Sequence, residues 1–241
     1  MAINIPPPTI VIFDMDGTVV RHMNPWVLNV LEGLDDLSYK IGGFITRRFG
    51  LRTREPFKGV VNRGDVKKRR LLVHRAIHFL RRKEVDQIVE PCPKIIDVLE
   101  FLKARDIPVG IASNGMGKGY GHDILQTFDL QKYFQATIFR EDIEKAKPNP
   151  EAILRVTDNL FLRPTRDDVI WYIGDRWKDI QATHAAEQLL PCRIVPFAYG
   201  LNASLQAFIE GKKLKLRPEQ RLVSYEDMLD VLNKLYTEKA A

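Results

Sequence analysis

Apolar residues fall in short, dense runs along this chain: TIVIF at 9–13, IPVGIAS at 107–113, ATIF at 136–139, DVIWYIG at 168–174 and RIVPFAY at 193–199. β-Branched and aromatic residues dominate the runs, and polar residues do not alternate with them. Such runs predict strands covered on both faces, as in a parallel sheet. Between them the apolar spacing changes to three and four, which predicts helices over 94–105, 122–130, 150–160 and 178–189. Strand alternating with helix predicts an α/β fold with a doubly wound parallel sheet. Right-handed crossovers then bring the C-terminal ends of the strands to one edge, where folds of this class receive their ligands.

Residues 20–90 break the rhythm. Val27, Val30, Leu31, Leu34, Leu37, Ile41, Phe44 and Ile45 keep a helical spacing, weakened by Gly42 and Gly43. Leu72, Val73, Ala76, Ile77 and Leu80 repeat it within 65–83. The pattern predicts a mostly helical insertion at 20–90 that divides the α/β core into 1–19 and 91–241. Charge adds to this picture. The formal net charge is +6, yet Arg21–Glu90 alone holds 16 Lys/Arg against 8 Asp/Glu, so the insertion carries all the excess. A module this basic faces an acidic partner, substrate or surface. The runs KKRR (67–70) and RRK (81–83) read as solvated helix faces. Nucleic acid or an acidic membrane surface is the less favoured partner, because no aromatic stacking platform accompanies them. His74 and His78 stand one helical turn apart with no carboxylate between them, and read as flanking-face histidines rather than a metal pair. Trp26 reads as core of the insertion.

The two cysteines, Cys92 and Cys192, are far apart and form no CxxC, so neither a zinc site nor a disulfide framework is indicated. No apolar run approaches the ~20 residues of a membrane-spanning helix. The opening MAINIPPP lacks the regions of a signal peptide. These features predict a reducing, cytoplasmic compartment.

Candidate chemistry sits where the predicted strands end. Asp14 and Asp16 follow the first strand, Ser113 and Asn114 the second, Lys147 the third, and Gly174, Asp175 and Asp179 the fourth. A carboxylate that attacks a phosphate monoester must approach a dianion, and each unit-charge pair about 4 Å apart costs roughly 4 kcal/mol at an effective dielectric near 20. The acidic set therefore calls for a hard divalent cation, with oxygen ligands suiting Mg²⁺. Lys147 adds positive charge for phosphoryl oxygens. Ser113 Oγ and the N–H groups after it suit phosphate at a helix N-terminus, and Gly17 allows a turn that a Cβ would resist. Asp14 then serves as nucleophile. Asp16 serves as the acid that protonates the leaving oxygen and the base that later activates water. For Asp179, helix N-terminal capping competes with a place near the metal. Arg21 and His22 lie between this loop and the insertion, where a substrate anion or a structural ion pair would suit Arg21. The stretch GMGKGYG (115–121) is not a dinucleotide fingerprint. It reads as a flexible surface loop from which Lys118 could touch substrate.

DMDGT, SNG, KPNP and GDRWKD resemble, in order, the four motifs of the haloacid dehalogenase (HAD) superfamily, and VSYEDMLDVLNKL resembles its final strand and helix. The resemblance implies a Rossmann-like core, an aspartyl-phosphate on Asp14 and Mg²⁺. It further implies metal binding by Asp14, Asp175 and the main-chain carbonyl of Asp16, with Asp179 oriented toward the metal or its water. Ser113, Asn114 and Lys147 would bind phosphate, and Gly17, Thr18 and Gly174 would support the loops. The insertion stands where a C1 cap stands in the family. Members that dehalogenate carbon lack the second aspartate, so Asp16 points to hydrolysis of a small-molecule phosphate monoester. The alternatives are a phosphomutase of the same fold, or a non-catalytic module that binds nucleic acid or acidic lipid through the basic cap.

Overall fold

Ile10–Phe13 (β1) buries all four of its side chains. Side chains alternate across a strand, so both faces must be covered. Ile10 and Ile12 join a cluster with Ala152, Ile153, Val156, Ala182 and Ala186. On the opposite face the Phe13 ring meets the edges of Phe134 and Tyr225. The computed structural model describes residues 5–22, 89–160, 164–209 and 216–237.

Further along the chain come Val20–His22 (β2), Val89–Pro91 (β3), Ile95–Lys103 (α1), Val109–Ala112 (β4), His122–Thr127 (α2) and Ala136–Ile138 (β5). Glu151–Asn159 (α3), Val169–Gly174 (β6), Trp177–Glu187 (α4) and Arg193–Tyr199 (β7) follow. Leu201–Ile209 (α5), Arg221–Leu222 (β8) and Tyr225–Thr237 (α6) close the order. Each of the five strands expected from the apolar runs is present, as is each of the four expected helices, with ends moved by a few residues.

Six strands form one parallel sheet in the order β5-β4-β1-β6-β7-β8. Relabelled by chain position this is 3-2-1-4-5-6, the Rossmann order, whose direction of winding reverses between β1 and β6. Phe13 is paired with Ile111 of β4 and Ile173 of β6, so the three central strands end level. Asp14, Ser113 and Asp175 therefore emerge at one edge, beside the point of reversal.

Three expectations are adjusted. The final strand is Arg221–Leu222, ahead of VSYEDMLDVLNKL. Val223 and Ser224 turn instead, because their N–H groups donate to the Asp227 carboxylate at 2.8 and 2.9 Å. Helix α5 was not foreseen. The first and last residues assigned to the helical insertion are strand rather than helix: β2 and β3 pair as a two-stranded sheet. The chain divides into two units, 1–21 with 89–241 and 22–88. Beyond His22 and up to Ile88, the expected cap helices, Trp26, His74, His78 and the basic runs lie outside the described residues. No helix among the described residues is long and apolar enough to cross a membrane.

Candidate active site

Lys147 is the hub of the strand-end cluster. Its Nζ donates to Asp14 Oδ1 at 2.5 Å, to the Ala112 carbonyl at 3.0 Å and to Tyr172 Oη at 3.0 Å. It also pairs with Asp179 Oδ1 at 2.6 Å. Asp14, Lys147 and Asp179 are all buried. Burial acts to lower the ammonium pKa, but Asp14 and Asp179 more than offset this and hold it well above the ordinary lysine value. The main chain of Lys147 is held as firmly. Asn114 Oδ1 accepts from the Lys147 N–H at 2.9 Å, and Asn114 Nδ2 donates to the Lys147 carbonyl at 3.3 Å.

The carboxylates carry the strain of crowding. Burial above all pushes the Asp14 carboxyl up to about 7, against the pull of Lys147 and with Asp179 and Asp16 adding to the push. Burial, then the charges of Asp14 and Asp179, push Asp175 up to about 8. Asp14, Asp175 and Asp179 each offer an oxygen within 4.8 Å of the others. Asp175 Oδ1 is buried and has no hydrogen-bond partner among the described residues. Three clustered carboxylates facing one ammonium leave an excess of negative charge. An anionic, all-oxygen donor set with one oxygen unpartnered fits a hard divalent cation.

Asp179 takes the capping role weighed for it and also pairs with Lys147. Its Oδ2 accepts from the Arg176 N–H at 3.1 Å, which caps α4, while Oδ1 faces Lys147. Gly174 makes this approach fit, since a Cβ there would lie 2.5 Å from the Asp179 Cβ and Cγ. Gly17 has φ +83° and faces Asp175. Thr18 is fully buried, yet its Oγ1 has no partner among the described residues. Thr18 ties the loop through its main chain, its carbonyl accepting from Tyr225 Oη at 2.9 Å.

Ser113 is buried, and its Oγ accepts from the Gly115 N–H at 2.9 Å. The expected helix N-terminus behind it is differently used. The chain kinks at Lys118 and Gly119, which lie outside helical geometry, and the N–H groups of Gly117 and Lys118 donate to the Glu141 carboxylate at 2.8–3.1 Å. GMGKGYG is thus an anchored turn rather than a free loop, and its Gly117 and Lys118 amides are taken by Glu141. The Lys118 side chain is exposed. Arg21 lies on β2 with its Nε 2.8 Å from Glu90 Oε1 of β3, in the ion pair weighed for it above. His22 ends β2, half-buried.

Two tyrosines in the site were not singled out from sequence. Tyr120 Oη donates to Asp16 Oδ1 at 2.6 Å. Tyr172 Oη, fully buried on β6, reaches the Ala112 carbonyl and Asp179 Oδ1, both at 3.2 Å. For Tyr172 a signal existed, because a tyrosine in a strand buried on both faces must find a partner for its hydroxyl.

Residues 11–188 match the family model of haloacid dehalogenase-like hydrolases. The phosphoglycolate phosphatase of Escherichia coli (strain K12) is 29% identical over 147 residues, covering 61% of this chain and 52% of that protein. The phosphoglycolate phosphatase of Salmonella choleraesuis (strain SC-B67) is 30% identical over 141 residues, covering 58% and 50%. The match thus spans about half the length of these relatives. Among solved structures, a HAD-superfamily hydrolase from Ehrlichia chaffeensis has a TM-score of 0.57 at 20% identity, covering 97% of this chain and 100% of that one. A beta-phosphoglucomutase from Clostridium difficile has a TM-score of 0.58 at 15% identity, with the same coverage. These structures share the fold.

Proposed function

This chain belongs to the haloacid dehalogenase-like hydrolase family, and we propose that within it the protein is a Mg²⁺-dependent phosphatase that hydrolyses a small-molecule phosphate monoester through phospho-Asp14. The observation that carries this reading is the acidic cluster around Lys147, with Asp175 Oδ1 buried and unpartnered among the described residues. Asp14, Asp175 and Asp179 are the side chains that would hold the cation, joined by the Asp16 carbonyl. When bound, the ion offsets the repulsion between the carboxylates and a phosphate dianion.

The chain's own groups then divide the work. An Asp14 carboxylate oxygen forms a bond to phosphorus as the ester P–O bond breaks. The Asp16 carboxyl gives its proton to the departing oxygen, so the leaving group departs as an alcohol. The resulting Asp16 carboxylate takes a proton from water as that water attacks phospho-Asp14. Inorganic phosphate leaves, and both aspartates return to their starting states. Lys147 holds Asp14 in place and supplies positive charge to phosphoryl oxygens, and Ser113 receives the phosphate beside it.

Residues 20–90 are assigned as a basic cap that selects the substrate, and Arg21, His22 and Lys118 as candidate substrate contacts. The free, buried Cys92 and Cys192 suit a reducing cytoplasm. The names of the relatives make 2-phosphoglycolate the first ester to try. The test is phosphate release from p-nitrophenyl phosphate and a panel of metabolite monoesters, with Mg²⁺ and with EDTA, for wild type and Asp14→Asn. Metal-dependent release that vanishes in the variant is expected. Release that persists in Asp14→Asn would overturn the mechanism. No net release, with isomerisation of a sugar phosphate instead, would favour the mutase.

A further inference from the structure

We propose that Tyr120 is a positioning residue for the acid–base carboxylate: its hydroxyl fixes Asp16 Oδ1 and so sets the orientation of the carboxyl that protonates the leaving group. The inference rests on the phosphatase reading above, and adds a residue to it.

Two contacts support the assignment. Tyr120 Oη donates to Asp16 Oδ1 at 2.6 Å across 104 residues of sequence. The other oxygen, Asp16 Oδ2, lies over Gly115, where a Cβ would approach it to 2.8 Å. Glycine at 115 gives it room, and rotation of the carboxyl is opposed on the side where the tyrosine sits.

The tyrosine is itself aimed by an anchor. Glu141 accepts from the main-chain N–H groups of Gly117 and Lys118, three and two residues before Tyr120. Those N–H bonds hold the Glu141 carboxyl below its ordinary value, against the opposing effect of its partial burial. Gly117 is packed so closely that a Cβ would come within 3 Å of Phe139, Glu141 and His122. On the far side, Gly121 would bring a Cβ to 2.4 Å from the Phe139 ring. The turn carrying Tyr120 is thus clamped at both ends, and its hydroxyl arrives at Asp16 from a fixed direction. Exposed loops that only connect elements do not need this.

The consequence depends on the leaving group. A nitrophenolate departs readily without a proton, whereas an alkoxide does not. kcat/KM reports on steps through transfer to Asp14, where Asp16 acts as the acid. Misplacing a catalytic group by a small distance costs a large factor only where that group is needed. Tyr120→Phe is therefore expected to lower the ratio of kcat/KM for an alkyl monoester to that for p-nitrophenyl phosphate by roughly tenfold. The alkyl ester is whichever the wild type hydrolyses best in the panel above. Glu141→Gln, which weakens the anchor and keeps the hydroxyl, should move the ratio the same way by a smaller factor. Thermal midpoints of both variants accompany the kinetics, because a general loosening of the fold lowers both rates together. A ratio unchanged in Tyr120→Phe, whatever the absolute rates, would overturn the assignment while leaving the phosphatase reading intact. A wild type inactive on every ester would overturn both.

Discussion

A Cβ placed on Gly17 would lie 2.2 Å from Asp175 Oδ2, closer than any two such atoms can stand. Gly17 also sits at φ +83°, a conformation that side chains with a Cβ resist. The first motif's glycine is thus built to the shape of the fourth motif's carboxylate, across the reversal point between β1 and β6. Gly17→Ala must displace Asp175, distort the loop, or both. We expect a loss of about 1–3 kcal/mol in stability from the backbone conformation alone. The thermal-midpoint increment given by Mg²⁺ should also largely disappear, since the ligand set is disturbed. Calorimetry with and without Mg²⁺ checks both.

Asp175 itself should behave oppositely in the two forms of the protein. In the absence of metal its charge faces Asp14 and Asp179, and burial and repulsion outweigh the attraction of Arg176, 3.9 Å away, and of Lys147. Asp175→Asn removes one of the clustered negative charges, so in EDTA near pH 8 its thermal midpoint should equal or exceed that of wild type. In Mg²⁺ the order should invert, because the variant has lost one of the carboxylates proposed to hold the ion. A variant less stable than wild type in EDTA would show that Asp175 stabilises the fold by itself.

The raised carboxyls also fix a pH dependence. Asp14 at about 7 and Asp175 at about 8 both stand above the ordinary aspartate value of 3.8. Between those limits the folded, metal-free protein holds more protons than the unfolded chain, so its stability falls as pH rises through that window. A cation needs the ionised carboxylates and displaces those protons, so its affinity rises with pH up to about 8. The Mg²⁺-induced increment in thermal midpoint should therefore be small near pH 5.5 and large near pH 8.5. Asp175→Asn serves as the control, and should flatten the trend. An increment that shrinks with rising pH would contradict the assignment.

How much of this could be read from sequence follows from how each residue is placed. Asp14, Ser113 and Asp175 follow apolar runs directly, and parallel register lines up the ends of such runs, so position in sequence fixed position in space. Lys147 was legible through its motif. Tyr120 and Glu141 were not, because loop residues follow no period and the Tyr120 to Asp16 contact spans 104 residues. Helix α5 escaped for a different reason. Leu201 and Leu205 are exposed while Ala203 and Ser204 are buried, the reverse of the usual pattern. Ser204 is accepted into the interior because its Oγ donates to the Leu222 carbonyl at 3.1 Å. Strand β8 has two residues, too few for any period to register.

Lys147 offers the strictest test of how the site is held together. Its side chain is 3% exposed and lies between Asp14, 8% exposed, and Asp179, 2% exposed. Removing one partner from such a set leaves charge buried without compensation, which typically costs about 3–5 kcal/mol. Lys147→Met should cost that much in EDTA, measured by urea denaturation. Part of the cost arises from the stranded Asp179 carboxylate. If so, adding Asp179→Asn to Lys147→Met should restore some stability, with a coupling of about 0.5–3 kcal/mol in the double-mutant cycle. Strict additivity would mean that the ammonium does not act on Asp179 in solution. Mg²⁺ should narrow the gap between wild type and Lys147→Met, because a cation held by Asp14 and Asp179 replaces part of the lost positive charge. That narrowing should in turn disappear when Asp175 is also changed to Asn, since the ion would then lack its third carboxylate.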